Sequence, residues 1–377
     1  MELVPLAPGD LQPSTPLPWR IFDAAGRLVL REGHCFEREE QIEQLLARDL
    51  YRAPTDAETA GAADSAERGP RDPFVTMETA TRTLKDGLNA LLAETRDPAE
   101  AWVLPLVEQV FALNRMHADA VLGGLLLMDD LPYSLAHPWM CATLCDLMTR
   151  RLERDEGFRR SLVAAALTSN AGMFDVQDEL THQSAPLTDE QRKRVRQHPV
   201  RSAQLLAQAG VRDQVWLRIA LSHHERLDGS GYPRKLAGDE IVSGARLLAL
   251  ADVYSAMLLP RAYRDGVHAK AALREIFTQR GGQIDADLAA LFIKEIGVYP
   301  PGIFVRLENG ETGVVTRRNP LHANQPIVSA LWNVIGRPLE RPIVRDTSEA
   351  KAFAVAEILP KRVPPLPLRV VWGYTPR

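Results

Sequence analysis

The chain has 377 residues, with 45 lysines and arginines against 49 aspartates and glutamates, for a formal charge of −4. Hydrophobic residues at 45% and charged residues at 25% are ordinary for a globular protein, and the balanced charge excludes a broad nucleic-acid footprint. Three cysteines are too few for a disulfide scaffold, residues 120–128 are the longest uninterrupted apolar run against the ~20 residues of a membrane span, and the opening MELVPLAPGD has no basic signal region, so a cytoplasmic protein with no membrane partner is expected.

Residues 1–53 read as a small β/α module. WRIFDAAGRLVL places two apolar-alternating runs around a turn at Asp23-Ala24-Ala25-Gly26. An amphipathic helix follows in EREEQIEQLLARDL, where Ile42, Leu45 and Leu46 recur at helical spacing. Cys35 in this module is expected to be a packing residue. Residues 54–73 contain no large apolar side chain and cannot build a core, which reads as a flexible linker. Residues 74–299 are helical in pattern throughout, and Thr188 with Glu190 and Gln191 marks a helix start after Pro186. After Pro300-Pro301 the period changes to two: GIFVRLENGETGVVTRRN brackets an Asn309-Gly310 hairpin turn, and IVSALWNV is a further strand. Residues 300–377 are therefore a β-rich extension, with a proline-rich tail expected to wrap it as extended chain. The expected fold is mainly α, a helical core with small β-containing modules at both ends.

The chemistry concentrates in SHHERLDGSGYPRKLAGDEI. Adjacent His223 and His224 can converge on one cation. Asp228-Gly229-Ser230-Gly231-Tyr232-Pro233 is a tight turn whose glycines allow close backbone approach, flanked by Arg226, Arg234 and Lys235. Two solvated histidines on a loop would explain His-His alone; the full pattern is more specific. Together with His137 in YSLAHPWM, His198-Pro199 placed 25 residues before His223, and Asp252 in ARLLALADVYSAM, it resembles the HD-GYP family, metal-dependent phosphodiesterases that linearise cyclic di-GMP. The resemblance spans roughly residues 115–335 and implies an HD-type helical bundle.

One stretch departs from the family pattern. Where the resemblance calls for His-Asp-x-Gly-Lys, this chain has Ser169, Asn170, Ala171, Gly172 and Met173. The resemblance implies that the lost Asp would bridge two metal ions. One site then keeps only His137 and Asp252, and the other keeps His198, His223 and His224, enough for one divalent Fe, Mn or Zn ion. Tyr133 stands where some relatives carry a Glu for a third ion. Without a bridging carboxylate, a two-metal hydrolytic clamp is poorly formed, and Met173 supplies no cation for a phosphoryl oxygen.

Anion-binding parts remain. Arg261 and Arg264 match phosphate-contacting positions, and Gly231, Tyr232 and Pro233 keep the GYP loop. The expected function is a degenerate member in cyclic di-GMP signalling that binds the nucleotide, or a partner protein such as a diguanylate cyclase, without efficient hydrolysis. A homodimer is left open. An active phosphodiesterase using the residual three-His site is the alternative. Glu225 is expected either to orient a histidine ring or to be a surface charge, and Cys141 and Cys145, one and two helical steps from His137, to be core residues. His34, His117, His268 and His322 read as ordinary polar positions, and His182 as a remote candidate for a rescuing ligand.

Overall fold

The computed structural model describes residues 72–374 apart from 96, 260–268 and 320–321, and in the N-terminal part residues 4–5, 11, 15–18, 20–23, 28–36, 41–42, 45 and 50–52. The chain divides into two compact units, one formed mainly by Met1–Arg71 and one by Asp72–Thr375.

The first unit is an antiparallel sheet of short strands, β1 (Val4–Pro5), β2 (Ile21–Asp23), β3 (Leu28–Leu30) and β4 (Leu50–Arg52), in the order β1-β4-β2-β3. In its β2–β3 hairpin Ile21 pairs with Leu30 and Phe22 with Leu28. Leu11, Leu17, Ile21, Phe36, Ile42 and Leu50 form its core. Most of the helix expected after Phe36, and all but the last two residues of the expected linker, lie outside the described residues. Cys35 does not pack as expected: it is exposed, and its neighbour Phe36 takes the buried place.

The second unit begins at Asp72-Pro73. The Asp72 carboxylate accepts the Phe74 N–H at 3.0 Å, and Pro73, with no N–H to satisfy, takes the first position of α1 (Pro73–Leu92). Helix α2 (Ala99–Leu127) is long and apolar enough, by length and composition, to cross a membrane, but 61% of its apolar window is buried inside the protein, among α1 and α3. Helix α3 (Tyr133–Arg151) is buried at every residue from Ser134 to Thr149, so it forms the axis of the bundle with no solvent-facing stripe. Around it lie α4 (Glu156–Thr168), α5 (Phe174–His182), α6 (Asp189–Gln208), α7 (Gln214–Ser222), α8 (Ser243–Leu258), α9 (Ala269–Gln279) and α10 (Ala286–Ile296). The start of α6 is a capping box: Thr188 Oγ1 accepts the Gln191 N–H at 3.2 Å, and Gln191 Oε1 accepts the Thr188 N–H at 2.9 Å.

A second antiparallel sheet follows, β5 (Phe304–Leu307), β6 (Thr312–Arg317), β7 (Ile327–Trp332), β8 (Pro338–Asp346) and β9 (Val355–Leu359), in the order β8-β7-β6-β5-β9. Gly310, at φ +88°, makes the β5–β6 turn. The sheet is held to the bundle by Arg318, whose Nε donates to Asp119 Oδ1 at 2.6 Å and whose Nη1 donates to the Glu295 carbonyl at 2.9 Å. The tail is not wholly extended: Leu368–Val371 forms a single helical turn, and Trp372 follows it onto Gly123 of α2, where a Cβ would sit 2.2 Å from the indole. The Trp372 indole N–H donates to the Thr316 carbonyl at 3.0 Å.

Candidate functional site

The dipeptide His198-Pro199 explains the orientation of its own imidazole. Pro199 lies inside α6 and has no N–H, so the carbonyl four residues back, that of Val195, loses its helical donor. The His198 Nδ1–H fills that place, donating to the Val195 carbonyl at 2.6 Å. His223 caps the C-terminus of α7, and its Nδ1–H donates to the Ala220 carbonyl at 2.8 Å, one of the carbonyls a helix end leaves without a partner. Since a carbonyl only accepts, both rings carry their proton on Nδ1. Both therefore present a bare Nε2, and these two nitrogens face each other at 3.2 Å.

Two lone pairs so placed repel unless a cation lies between them. At the ~2.0–2.1 Å of a zinc–nitrogen bond, nitrogens at this spacing subtend roughly 100° at the metal, near a tetrahedral angle. The His224 ring lies 4.1 Å from that of His223 and 5.0 Å from that of His198, centroid to centroid, and stacks on Tyr232 at 4.7 Å. Together His198, His223 and His224 offer ligand atoms within 4.8 Å of one another. Burial keeps them neutral, as metal binding requires: it pushes His223 down to about 3, and with the neighbouring histidines it lowers His198 well below its ordinary value.

The second cluster bridges α3 and α8. His137 Nε2 and Asp252 Oδ1 are hydrogen-bonded at 2.9 Å, and the other ring nitrogen of His137 lies 3.2 Å from the Tyr133 hydroxyl. Burial pushes the Asp252 carboxyl up, but His224 and the hydrogen bond from His137 outweigh it and hold the group ionised. Cys141, one turn beyond His137, joins these two, with Sγ 3.6 Å from His137 Nε2. The expectation that it is simply a buried core residue is thus incomplete. Burial and Asp252 both push its thiol well up, so it is protonated in the metal-free protein.

Between the clusters lies the stretch where the expected His-Asp pair is missing. Ser169 ends α4 and is buried; its carbonyl accepts Ser202 Oγ at 2.6 Å, and the same Oγ accepts the Gly172 N–H at 2.8 Å. Gly172 lies so close to α6 that a Cβ would meet the His198 carbonyl oxygen at 2.6 Å and the Ser202 nitrogen at 2.8 Å. This stitching aims Asn170 and Met173 at a cavity of about 400 Å³ that is also lined by Tyr133, His137, His198, His224, Tyr232 and Asp252. Such a volume suits a small-molecule ligand, for which cavities of ~300–1,000 Å³ are usual. Asn170 Oδ1 is buried and has no hydrogen-bond partner. An uncompensated acceptor of this kind costs roughly 1–3 kcal/mol and fits a site that a cation completes.

His223 and Ser169 are buried and do not line the cavity. Gly231 and Pro233 do not line it; a Cβ on Gly231 would meet the Arg226 nitrogen at 2.5 Å, so this glycine serves the packing of the loop. Neither Arg226, Arg234 nor Lys235 lines the cavity, and Arg261 and Arg264 lie outside the described residues. His182 is exposed, its ring hydrogen-bonded to the Asp178 carbonyl, and it does not reach the cavity. Glu225 orients no ring. Its buried carboxylate accepts the Arg234 N–H at 2.7 Å and the Leu236 N–H at 3.0 Å, which clamps the loop that carries Tyr232. The opposite wall, formed by Gln177, Leu180, Thr181 and residues 183–187, gave no sequence signal.

Residues 122–288 match the HD domain family. This segment is an HD domain. It is 30% identical over 257 residues to a cyclic di-GMP phosphodiesterase of Pseudomonas aeruginosa, covering 68% of this chain and 61% of that protein. It is also 30% identical over 169 residues to a 3'3'-cGAMP-specific phosphodiesterase of Vibrio cholerae, covering 45% of this chain and 36% of the relative. A solved structure of an HDG"Y"P protein from Bdellovibrio bacteriovorus is 17% identical, with a TM-score of 0.47, over 77% of this chain and 98% of that one. The chain thus spans less than two thirds of the length of these curated relatives. HD domains are metal-dependent, and the two clusters are where this one can hold an ion.

Proposed function

We propose that this HD-GYP-type protein works in cyclic di-GMP signalling by binding the cyclic dinucleotide, or a close analogue, in the 400 Å³ cavity without efficient hydrolysis. The observation that carries the reading is the pairing of bare His198 and His223 Nε2 atoms with an uncharged Asn170 where the family resemblance calls for a bridging carboxylate. A divalent ion on His198, His223 and His224 would supply Lewis acidity to a phosphoryl oxygen. The chain's own groups then hold rather than cut. Tyr232 and Tyr133 offer faces for a base, and Arg261 and Arg264 are assigned to the phosphates. Asn170 gives no negative charge to share between two cations, and Met173 gives no positive charge to the developing phosphorane. Residues 1–53, joined by the 54–73 linker, would report the bound state to a partner, with a diguanylate cyclase the class the resemblance favours.

The test is calorimetry with cyclic di-GMP and linear pGpG, with and without Mn²⁺, alongside chromatography of the incubated nucleotide. Saturable binding with intact nucleotide is the expected result. Absence of binding under every condition overturns it. The second reading, an active phosphodiesterase on the three-His ion, is favoured by the convergent Nε2 pair and predicts turnover that is lost in a His223→Ala, Asp252→Ala double variant.

A further inference from the structure

The family pattern implied that loss of the His-Asp pair leaves one metal position with only His137 and Asp252. The side chains around them tell otherwise. Helical spacing of four residues puts Cys141 on the same face of α3 as His137, and Asp252 reaches both from α8. All three offer ligand atoms within 4.8 Å of one another, and His137 and Cys141 are each only 2% exposed. With zinc–sulfur and zinc–nitrogen bonds of ~2.3 and ~2.0–2.1 Å, a tetrahedral centre sets its sulfur and nitrogen about 3.6 Å apart. The separation of Cys141 Sγ from His137 Nε2 is 3.6 Å. Two neighbours are already placed to support such a centre: the Tyr133 hydroxyl at the far nitrogen of His137, and Ser255 Oγ 3.6 Å from the sulfur.

We propose that Cys141, His137 and Asp252 form a second divalent-metal site of thiolate, imidazole and carboxylate, which selects zinc over the harder ions. It deepens the metal reading of this cavity and relies on that reading only for its location. Binding exchanges a proton and no electrons: the thiol S–H breaks, the sulfur–metal bond forms, and the proton passes to solvent. The proton that His137 Nε2 places in the hydrogen bond to Asp252 in the metal-free protein moves to Nδ1, toward the Tyr133 hydroxyl, and Nε2 then gives its lone pair to the ion. A thiolate ligand is soft, so the site discriminates against Mn²⁺ and Mg²⁺, which prefer oxygen.

The test uses the full chain, stripped with a chelator and titrated anaerobically with Co²⁺. A sulfur-to-cobalt charge-transfer band in the near ultraviolet is expected. It should vanish in Cys141→Ser and persist in Cys145→Ser. It should also persist in His223→Ala, which removes only the three-His position, so failure of that site and failure of this one are read separately. No band, or a band unchanged in Cys141→Ser, overturns the proposal. Should Cys141→Ser fail to fold, X-ray absorption on the zinc-loaded wild type decides: a sulfur scatterer at ~2.3 Å supports the site, and a shell of nitrogen and oxygen alone refutes it.

Discussion

Replacing Asn170 by Asp tests the electrostatic logic of the cavity with a change of almost no volume. Asn170 is 7% exposed, and its Oδ1 has no partner. In metal-free protein the new carboxylate would join ionised Asp252 on the wall of the same cavity, with no lysine or arginine among the described lining residues. An uncompensated buried charge of this kind costs about 3–5 kcal/mol. For a unit somewhat larger than the 150–250 residues over which 1 kcal/mol moves Tm by ~2–4 °C, the apo variant should melt roughly 6–15 °C below wild type. A divalent ion reverses the sign, because the carboxylate becomes a ligand. Each tenfold gain in affinity adds about 1.4 kcal/mol to the folded state at saturating metal. Calorimetric melting of chelated and Mn²⁺-loaded protein measures both effects. Equal metal-induced shifts in Asn170→Asp and wild type would refute the argument that position 170 faces the ions.

Acid should destabilise the chelated protein. His223 titrates near its ordinary 6.5 when unfolded and at about 3 when folded, so the unfolded chain takes up the proton first; stability is full above pH 6.5 and falls below it, by about 2 kcal/mol at pH 5 from this residue alone, as read by urea unfolding at the two pH values. Gly172→Ala drives a Cβ into backbone atoms of α6 that cannot swing away, and should cost at least ~1–3 kcal/mol by the same measurement. Glu225→Gln turns an amide NH2 toward one of the two loop N–H groups and leaves the other a neutral acceptor, at ~1.5–3 kcal/mol, and should weaken cyclic di-GMP binding in calorimetry while metal stoichiometry stays unchanged.

What the sequence revealed, and what it hid, follows from where each signal resides. The three histidines that converge are legible because two are adjacent and the third carries its own proline, so the local chain sets each ring. The Asn309-Gly310 hairpin is legible for the same reason. Cys141 is different. Its spacing from His137 was plain, but α3 is buried on every side, and no periodicity tells which buried neighbour comes from α8. Glu225 was read by its proximity to His224, whereas its partners lie nine and eleven residues onward and appear only once the loop folds back. Strand β8 escaped notice because PLERPIVRD is a charged edge strand with no buried alternation. Between Gln177 and Leu187 only His182 and Pro186 drew notice, and neither signals a cavity wall.

The substitutions that separate this chain from the HD pattern fall on one element, the turn between α4 and α5, and that turn still has the architecture of a ligand support. Ser202 gathers the Ser169 carbonyl and the Gly172 N–H, and Arg201 Nη1 donates to the Gly172 carbonyl at 2.9 Å. A segment released from all positional demand has no need of a glycine set so close to α6 that a Cβ would come within 3 Å of its atoms. Meanwhile the histidines on α6 and at the end of α7 are oriented by carbonyls that their own helices free, so their geometry does not depend on the altered turn. The loss therefore removes charge from the middle of the site while leaving both flanks ordered. On the proposed reading such a site would keep the means to position a metal and a phosphodiester and would lack the shared carboxylate that holds two ions over one nucleophile. Binding and cleavage would then be separable properties of one cavity, with Asn170 the residue on which they part.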